Sequence, residues 1–432
     1  MKRKTSALTL ISVLLLSTLA TQVVSRVNAN FTPLPELPTP IYIRNDGSVD
    51  PPTAPLQRIG NTYTFTSNID NTIEIQRPNI VLDGNGFALT KPAVNTEGLM
   101  MPIGWLPGVR VVGMNNVAIT NIVFEGCVTG VTVENSSSIT ISRNTIRETT
   151  SGIVVLSSSE INIIGNNIAL ADQSFATGIH FLPSNPEASS PYHIKIEGNH
   201  ILGNSNQVPT IPPQPEQYGI CGGFSDSQMT GNNLADIKGI ALYYAGSNNL
   251  ISGNNFQDNY EGILFSGYSQ LSVNNTIYGN NFNHNSENVV VPFIRDPPIN
   301  FWDNGTVGNY WSDYNGADVN GDGVGDLPYI IETVYQDYEL NKNVTVQEGK
   351  DNYPVMAPFD ISSLTIELPE YAHPSPAPPS QENPSTEQFP TALVAAASGT
   401  SVAIVSVCLL VYFTKFKKAT VKAENTTEKG EA

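Results

Sequence analysis

The chain has 432 residues; only 14% are charged, Gly (34) and Pro (31) are plentiful, and Asn, Ser, Thr, Ile and Val crowd its middle. The net charge of −18 is more negative still once the two basic ends are set aside. That argues against a nucleic-acid or acidic-polysaccharide partner, since both need Lys and Arg to neutralise them.

Residues 1–29 read as a signal peptide. Lys2, Arg3 and Lys4 precede an apolar run from Ala7 to Ala20, and Val27-Asn28-Ala29 offers a small-residue cleavage site. The competing reading is an uncleaved anchor, because apolar character trails on to Val24. Residues 30–78 form an N-terminal linker and cap, with the strand-rich stretch TYTFTSNIDNTIEI at its end. Solenoids need such caps because a terminal coil otherwise exposes an unpaired edge.

Residues 79–303 repeat themselves. SITISRNTI ends at Ile146, EINIIGNNI at Ile168, HIKIEGNHI at Ile201, SQMTGNNL at Leu234, NLISGNNF at Phe256 and NTIYGNNF at Phe282, after a looser NVAITNIVF. The leading Asn residues, 121, 144, 166, 199, 232, 254 and 280, are separated by 23, 22, 33, 33, 22 and 26 residues. The two long steps carry Pro-rich insertions, so the underlying period is about 22. A second motif interleaves: GVTV from Gly130, GIVV from Gly152, GIHF from Gly178, GICG from Gly219, GIAL from Gly239 and GILF from Gly262. Two short alternating strands per repeat, without 3.6-residue periodicity, predict an all-β fold, a right-handed parallel β-helix of about eight coils. Ile and Val then point inward and polar residues outward, and like positions pile into ladders at about 4.8 Å. The Asn column is expected to be structural, with its Gly neighbour supplying positive φ at the turn. Of the cysteines, Cys127 and Cys221 are expected as buried core thiols; Cys408 lies in a later apolar segment.

Residues 304–368 close the helix and contain an Asp-rich loop. The Pro/Ser-rich stretch 369–390 cannot bury a core and reads as a stalk. Residues 391–413 carry no charge and are long enough to span a bilayer as one helix. Lys415, Lys417, Lys418 and Lys422 follow, which places the tail 414–432 in the cytoplasm and the β-helix outside, on a single-pass membrane protein. Sequons at Asn135, Asn274, Asn304 and Asn343 suit an exported chain.

These repeats resemble the NosD-type right-handed β-helix family, which belongs with carbohydrate-binding and sugar-hydrolase β-helices. IYIRNDGSVDPPTAP with NIVLDGNGFALT is similar to archaeal surface-protein versions, and GNYWSDYNGADVNGDGVGDLPYII with DNYPVMAPF to the segment that closes many NosD-like helices. The resemblance covers about residues 41–360 and implies the fold. It also implies an accessory role in copper-site maturation. Copper selects soft or imidazole ligands, and His180, His193, His200, His284 and His373 show no ligand-spaced cluster. Copper is therefore not expected.

Chemistry could sit in two places. Asp318, Asn320, Asp322, the Val324 carbonyl and Asp326 fall at positions 1, 3, 5, 7 and 9 of a calcium-type loop with Gly323 at position 6, so a structural calcium ion is expected. Tyr329 stands where position 12 wants Glu, which leaves Asp313 or Asp351 to complete the shell. Separately, the turn after the Asn column places Asp236, Asp258 and His284 on successive coils, the carboxylates about 5 Å apart as in retaining glycosidases. The bland reading is that turns need polar residues. Tyr243, Tyr244, Tyr260 and Tyr268 lie on the same coils, as sugar stacking would need. The sequence favours a non-catalytic, membrane-anchored module that binds carbohydrate or another envelope component. A polysaccharide hydrolase or lyase and a copper accessory are the alternatives.

Overall fold

The computed structural model describes residues 39–90, 107–172, 175–185, 188–203, 217–266, 272–291, 299–337 and 342–361. The segments read as signal peptide, stalk, membrane helix and tail lie outside them. Among the described residues no helix is long and apolar enough to cross a membrane.

Repetition of about 22 residues forces each turn of chain to lie on the one before, and the hydrogen bonding follows. Three sheets of eleven, ten and nine strands, parallel except for one antiparallel edge strand at the start of each of the first two, run along the coils. Each repeat crosses all three. In one coil these are Thr129–Glu134, Ser137–Ser142 and Thr145–Arg147; in the next, Ser151–Leu156, Ser159–Ile164 and Asn167–Ala169. The expectation of two strands per coil is corrected here: the three residues after each ladder Asn form a third strand, too short to show alternation. Parallel pairing begins where Ile41–Ile43 meets Ile73–Ile75 and ends where Asn281–Phe282 meets Tyr310–Trp311. At the start, Leu56–Ile59 and Thr62–Phe65 pair antiparallel, and Tyr329–Asp337 and Lys342–Asp351 make a closing hairpin.

Register turns alternation into columns. Val131, Ile153, Ile179, Ile220, Leu242 and Ile263 stack in the first sheet, all fully buried. Each such side chain contributes about 1.5–3 kcal/mol by leaving water. Phe256, Phe282, Trp311 and Tyr329 stack face to face, with centroids 5.1, 4.3 and 4.2 Å apart. Larger rings thus fill the C-terminal end of the third-sheet column that Ile146, Ile168, Ile201 and Leu234 fill earlier.

Parallel coils leave side-chain amides at the corners to hold one coil on the next, and Asn can both donate and accept there. From Asn144 through Asn166, Asn199, Asn232, Asn254 and Asn280 to Asn309, each Nδ2 donates to the next Oδ1 at 2.8–3.0 Å. The preceding residue is left-handed, φ 60–66° at Gly165, Gly198, Gly231, Gly253 and Gly279. Asn121 is not in the column: it is itself the left-handed residue, φ 54°, and Ile122 donates its N–H to Asn144. Gly239 is likewise displaced, since Ile220 pairs with Leu242 and so sets Ala241, not Gly239, at the Gly219 position. The last Asn finds Asp351, fully buried, whose Oδ2 accepts from Asn309 N–H at 2.6 Å and Trp311 Nε1 at 2.9 Å. A carboxylate accepts without having to donate onward, so the ladder can stop there.

Candidate functional site

The turn that leads from the third sheet back to the first carries the Asp236–Asp258–His284 column. Ala235, Gln257 and Asn283 are register partners, and Asp236 N–H donates to Gln257 O while Asp258 N–H donates to Asn283 O. The three residues are therefore consecutive steps of one stack. All adopt left-handed backbone, φ 57, 53 and 54°, a conformation that Asp and Asn tolerate better than most residues. His284 Nδ1 lies 3.9 Å from Asp258 Oδ1, both side chains well exposed. With Lys238, Tyr260 and Ser286 they line a shallow pocket.

Beside that turn lies the outward face of the first sheet, which the sequence did not single out. His180, Cys221 and Tyr243 are successive register partners, each set between inward core residues such as Ile179 and Phe181. Tyr218, from the neighbouring column, meets Tyr243 edge-on at 5.9 Å. The side chains of His180, Tyr218, Cys221, Tyr243 and Glu261 are half-buried on this face. Burial pushes His180 down to about 4 and the Cys221 thiol up to about 12. Tyr218 rises to about 12, by burial first and then by Cys221, Tyr243 and Glu261. Glu261 rises to about 7, by burial and then by Glu287, its register partner. Several polar atoms here are buried without a hydrogen-bond partner: Thr129 Oγ1, Thr132 Oγ1, His180 Nδ1, Lys238 Nζ and Glu261 Oε2. A buried polar group without a partner costs about 1–3 kcal/mol, so water or a ligand reaching this face would find unmet donors and acceptors.

The tyrosines divide. Tyr243 faces outward and bonds Ser266 Oγ at 3.1 Å; Tyr260 lines the pocket. Tyr244 is core, fully buried between Phe224 and Phe265. Tyr268 lies outside the described residues. Cys127 is a buried core thiol as expected, whereas Cys221 faces outward.

In the Asp-rich loop the carboxylates accept from the loop's own backbone. Asp318 Oδ1 takes Gly321 N–H at 2.7 Å, Asp318 Oδ2 takes Gly323 N–H at 2.9 Å, and Asp326 Oδ2 takes Val319 N–H at 2.7 Å. Asn320 Oδ1 accepts from Asp322 N–H and Asp322 Oδ1 from Val324 N–H, both at 2.9 Å. Neither suggested completing carboxylate is spare. Asp313 is bonded by Asn288 and Tyr329, each at 3.0 Å, and Asp351 ends the Asn ladder. Among the described residues no three His, Cys, Asp or Glu side chains converge as metal ligands.

Fold and columns together define the class: this is a right-handed parallel β-helix protein. Residues 106–316 match the NosD family, described as periplasmic copper-binding protein, so the resemblance read from the repeats holds over those coils. No curated protein matches the chain significantly. Among solved structures, the periplasmic alginate epimerase AlgG, as a single-site mutant, is similar at 13% identity and TM-score 0.38, covering 58% of this chain and 72% of that one. DFA-IIIase from Arthrobacter chlorophenolicus A6 gives 16% identity and TM-score 0.32, with 59% of this chain but only 55% of that one covered. The Streptococcus pneumoniae surface protein and adhesin PfbA gives 11% and 0.34, covering 55% and 68%.

The family description implies copper. Imidazole and thiol are ligands that copper selects. On the first sheet His180, whose Nδ1 has no hydrogen-bond partner, and its register partner Cys221 are donors of that kind, and among the described residues no third His, Cys, Asp or Glu converges with them. The search for spaced histidines did not find this pair, because it is a His with a Cys on the neighbouring strand, separated in sequence by Pro-rich insertions.

Proposed function

We propose that the protein is a surface β-helix module that binds a carbohydrate or other envelope component along the flank formed by the third-to-first-sheet turn and the adjoining outer face. The observation that carries this reading is the juxtaposition of the Asp236–Lys238–Asp258–Tyr260–His284 pocket with the Tyr218–Tyr243 pair. Sugars are held by a few convergent polar groups beside apolar ring faces, and the flank offers both. The acidic surface favours a neutral or amino-bearing glycan over a uronic-acid polymer. Segments 391–413 and 369–390, as membrane helix and stalk, would display the rod outside the cell, in keeping with a family described as periplasmic.

A glycan array and pull-down from envelope fractions with the full-length chain test the reading. Binding to neutral or amino glycans that is lost in Asp236→Ala, Asp258→Ala and Tyr260→Ala supports it. Failure to bind any envelope fraction overturns it. Release of reducing ends that disappears in the two Asp variants would transfer the site to a hydrolase or lyase.

A further inference from the structure

We propose that Lys238 makes the flank pocket selective for acetamido sugars, the N-acetylhexosamine units of an envelope glycan; this rests on the carbohydrate reading above and narrows its ligand. The turn from the third sheet to the first sets two columns side by side. Asp236, Asp258 and His284 form one. Lys238, Tyr260 and Ser286 form the other, because Tyr260 N–H donates to Ile237 O and Glu287 N–H to Tyr260 O. Steps within a column are about 4.8 Å, so Lys238 and Tyr260 stand on adjacent coils, in one pocket with Asp236 and Asp258.

Lys238 Nζ is buried and has no hydrogen-bond partner among the described residues. An ammonium carries three donors and cannot accept, and a buried charge left unpaired is costly. Asp236 and Asp258 line the same pocket yet leave it unbonded. A ligand can supply the missing acceptor, and charge and shape choose which. A carboxylate or sulfate would sit beside two exposed carboxylates on a chain of net charge −18. Hydroxyls are weaker acceptors and common to every sugar. An amide carbonyl is the strongest uncharged acceptor among common glycan groups. The rest of an acetamido group fits as well. Its N–H donates, and ionised Asp236 and Asp258 only accept. Its methyl is apolar, and the Tyr260 ring lines the pocket. Carbonyl, N–H and methyl each meet a suitable side chain, with Lys238 as the specificity-determining one. A free amine would satisfy the carboxylates but leave Lys238 bare.

The test is calorimetric titration of the full-length chain with three 1,4-linked tetramers that differ only at the second ring carbon: cellotetraose with its hydroxyl, the glucosamine tetramer with its ammonium and the N-acetylglucosamine tetramer with its acetamido group. The expected result is the acetamido tetramer bound at least about 10-fold more tightly than either of the others, the worth of one hydrogen bond to a charged group. Lys238→Met brings the acetamido-to-hydroxyl ratio to about one, and Lys238→Arg, which keeps its donors, retains the preference. Saturation-transfer NMR on the unmutated chain should find the acetyl methyl among the most strongly saturated protons, a readout that needs no variant to fold. Equal binding of the acetamido and hydroxyl tetramers, tighter binding of the amine, an unsaturated methyl, or a ratio that survives Lys238→Met would each overturn the proposal. So would failure of all three tetramers while another envelope glycan binds, which leaves the carbohydrate reading intact; no binding to any envelope glycan overturns both.

Discussion

Replacing Asn232 by Ala cuts the ladder at its middle, and the cost can be worked from the contacts. Asn232 Oδ1 accepts from both N–H and Nδ2 of Asn199 at 2.9 Å, and its Nδ2 donates to Asn254 Oδ1 at 2.8 Å and Ile196 O at 2.9 Å. Asn199 Nδ2 keeps Ile163 O, and Asn254 Oδ1 keeps the Asn232 N–H. The Asn199 N–H is left buried and unpaired. A stranded group costs about 1–3 kcal/mol and each further lost bond about 0.5–1.5, so the total is about 3–5 kcal/mol. Asn233, next in sequence, faces outward, is half-buried and accepts one side-chain bond from Asn255. Asn233→Ala should cost less than about 1 kcal/mol. Urea denaturation followed by circular dichroism compares the two variants. Equal losses would refute the reasoning, because adjacent asparagines would then not differ by their place in the coil.

Glu261 has its folded pKa near 7, above its ordinary 4.5, so the folded state holds the proton more tightly and stability must fall as pH rises between those values. Glu261→Gln should flatten that slope in thermal melts; an identical slope in the variant contradicts the assignment. Asp236→Gly and Asp258→Gly should leave stability unchanged or slightly raised, since Gly takes positive φ freely, yet abolish glycan binding. Retained binding would reduce both residues to turn formers. Calcium at about 100 times its Kd should add about 2.7 kcal/mol through the 318–326 loop, and Asp318→Ala with Asp322→Ala should remove the effect. Identical melting with calcium and with chelator would make the loop a turn and nothing more.

The fold was legible because the repeat is written in residues with hard physical constraints. Gly before Asn, at steps of 22, marks a left-handed turn and an amide stacked on its own kind. The third strand was not, because three residues such as Thr145–Arg147 carry no periodicity of their own. Two further corner ladders were also visible only in the structure. Asn249, Asn275 and Asn300 link Nδ2 to Oδ1 at 3.0 and 2.9 Å, and Asn259 and Asn285 do so at 3.0 Å. Their signal, the pairs Asn248-Asn249 and Asn274-Asn275, lies in the sequence but lacks the Gly that made the first ladder stand out. The Asp236–Asp258–His284 stack was found because each member stands four residues after a ladder Asn, at 232, 254 and 280. His180 and Cys221 escaped because the insertions between Leu182 and Tyr192 and between Leu202 and Gln217 break the count, and only strand register restores it.

Everything placed on either face depends on coil lying upon coil in that register. Asn162 and Lys195 are outward register partners on adjacent coils, and Gln228 follows Lys195 one coil further on. Neighbouring strands put Cα atoms about 4.8 Å apart, within disulfide reach, while two coils separate them by about 9.6 Å, beyond it. Under mild oxidation, Asn162→Cys with Lys195→Cys should form a crosslink seen by peptide mass spectrometry, and Asn162→Cys with Gln228→Cys should not. A crosslink in the second pair without one in the first would contradict the stacking on which both faces are built.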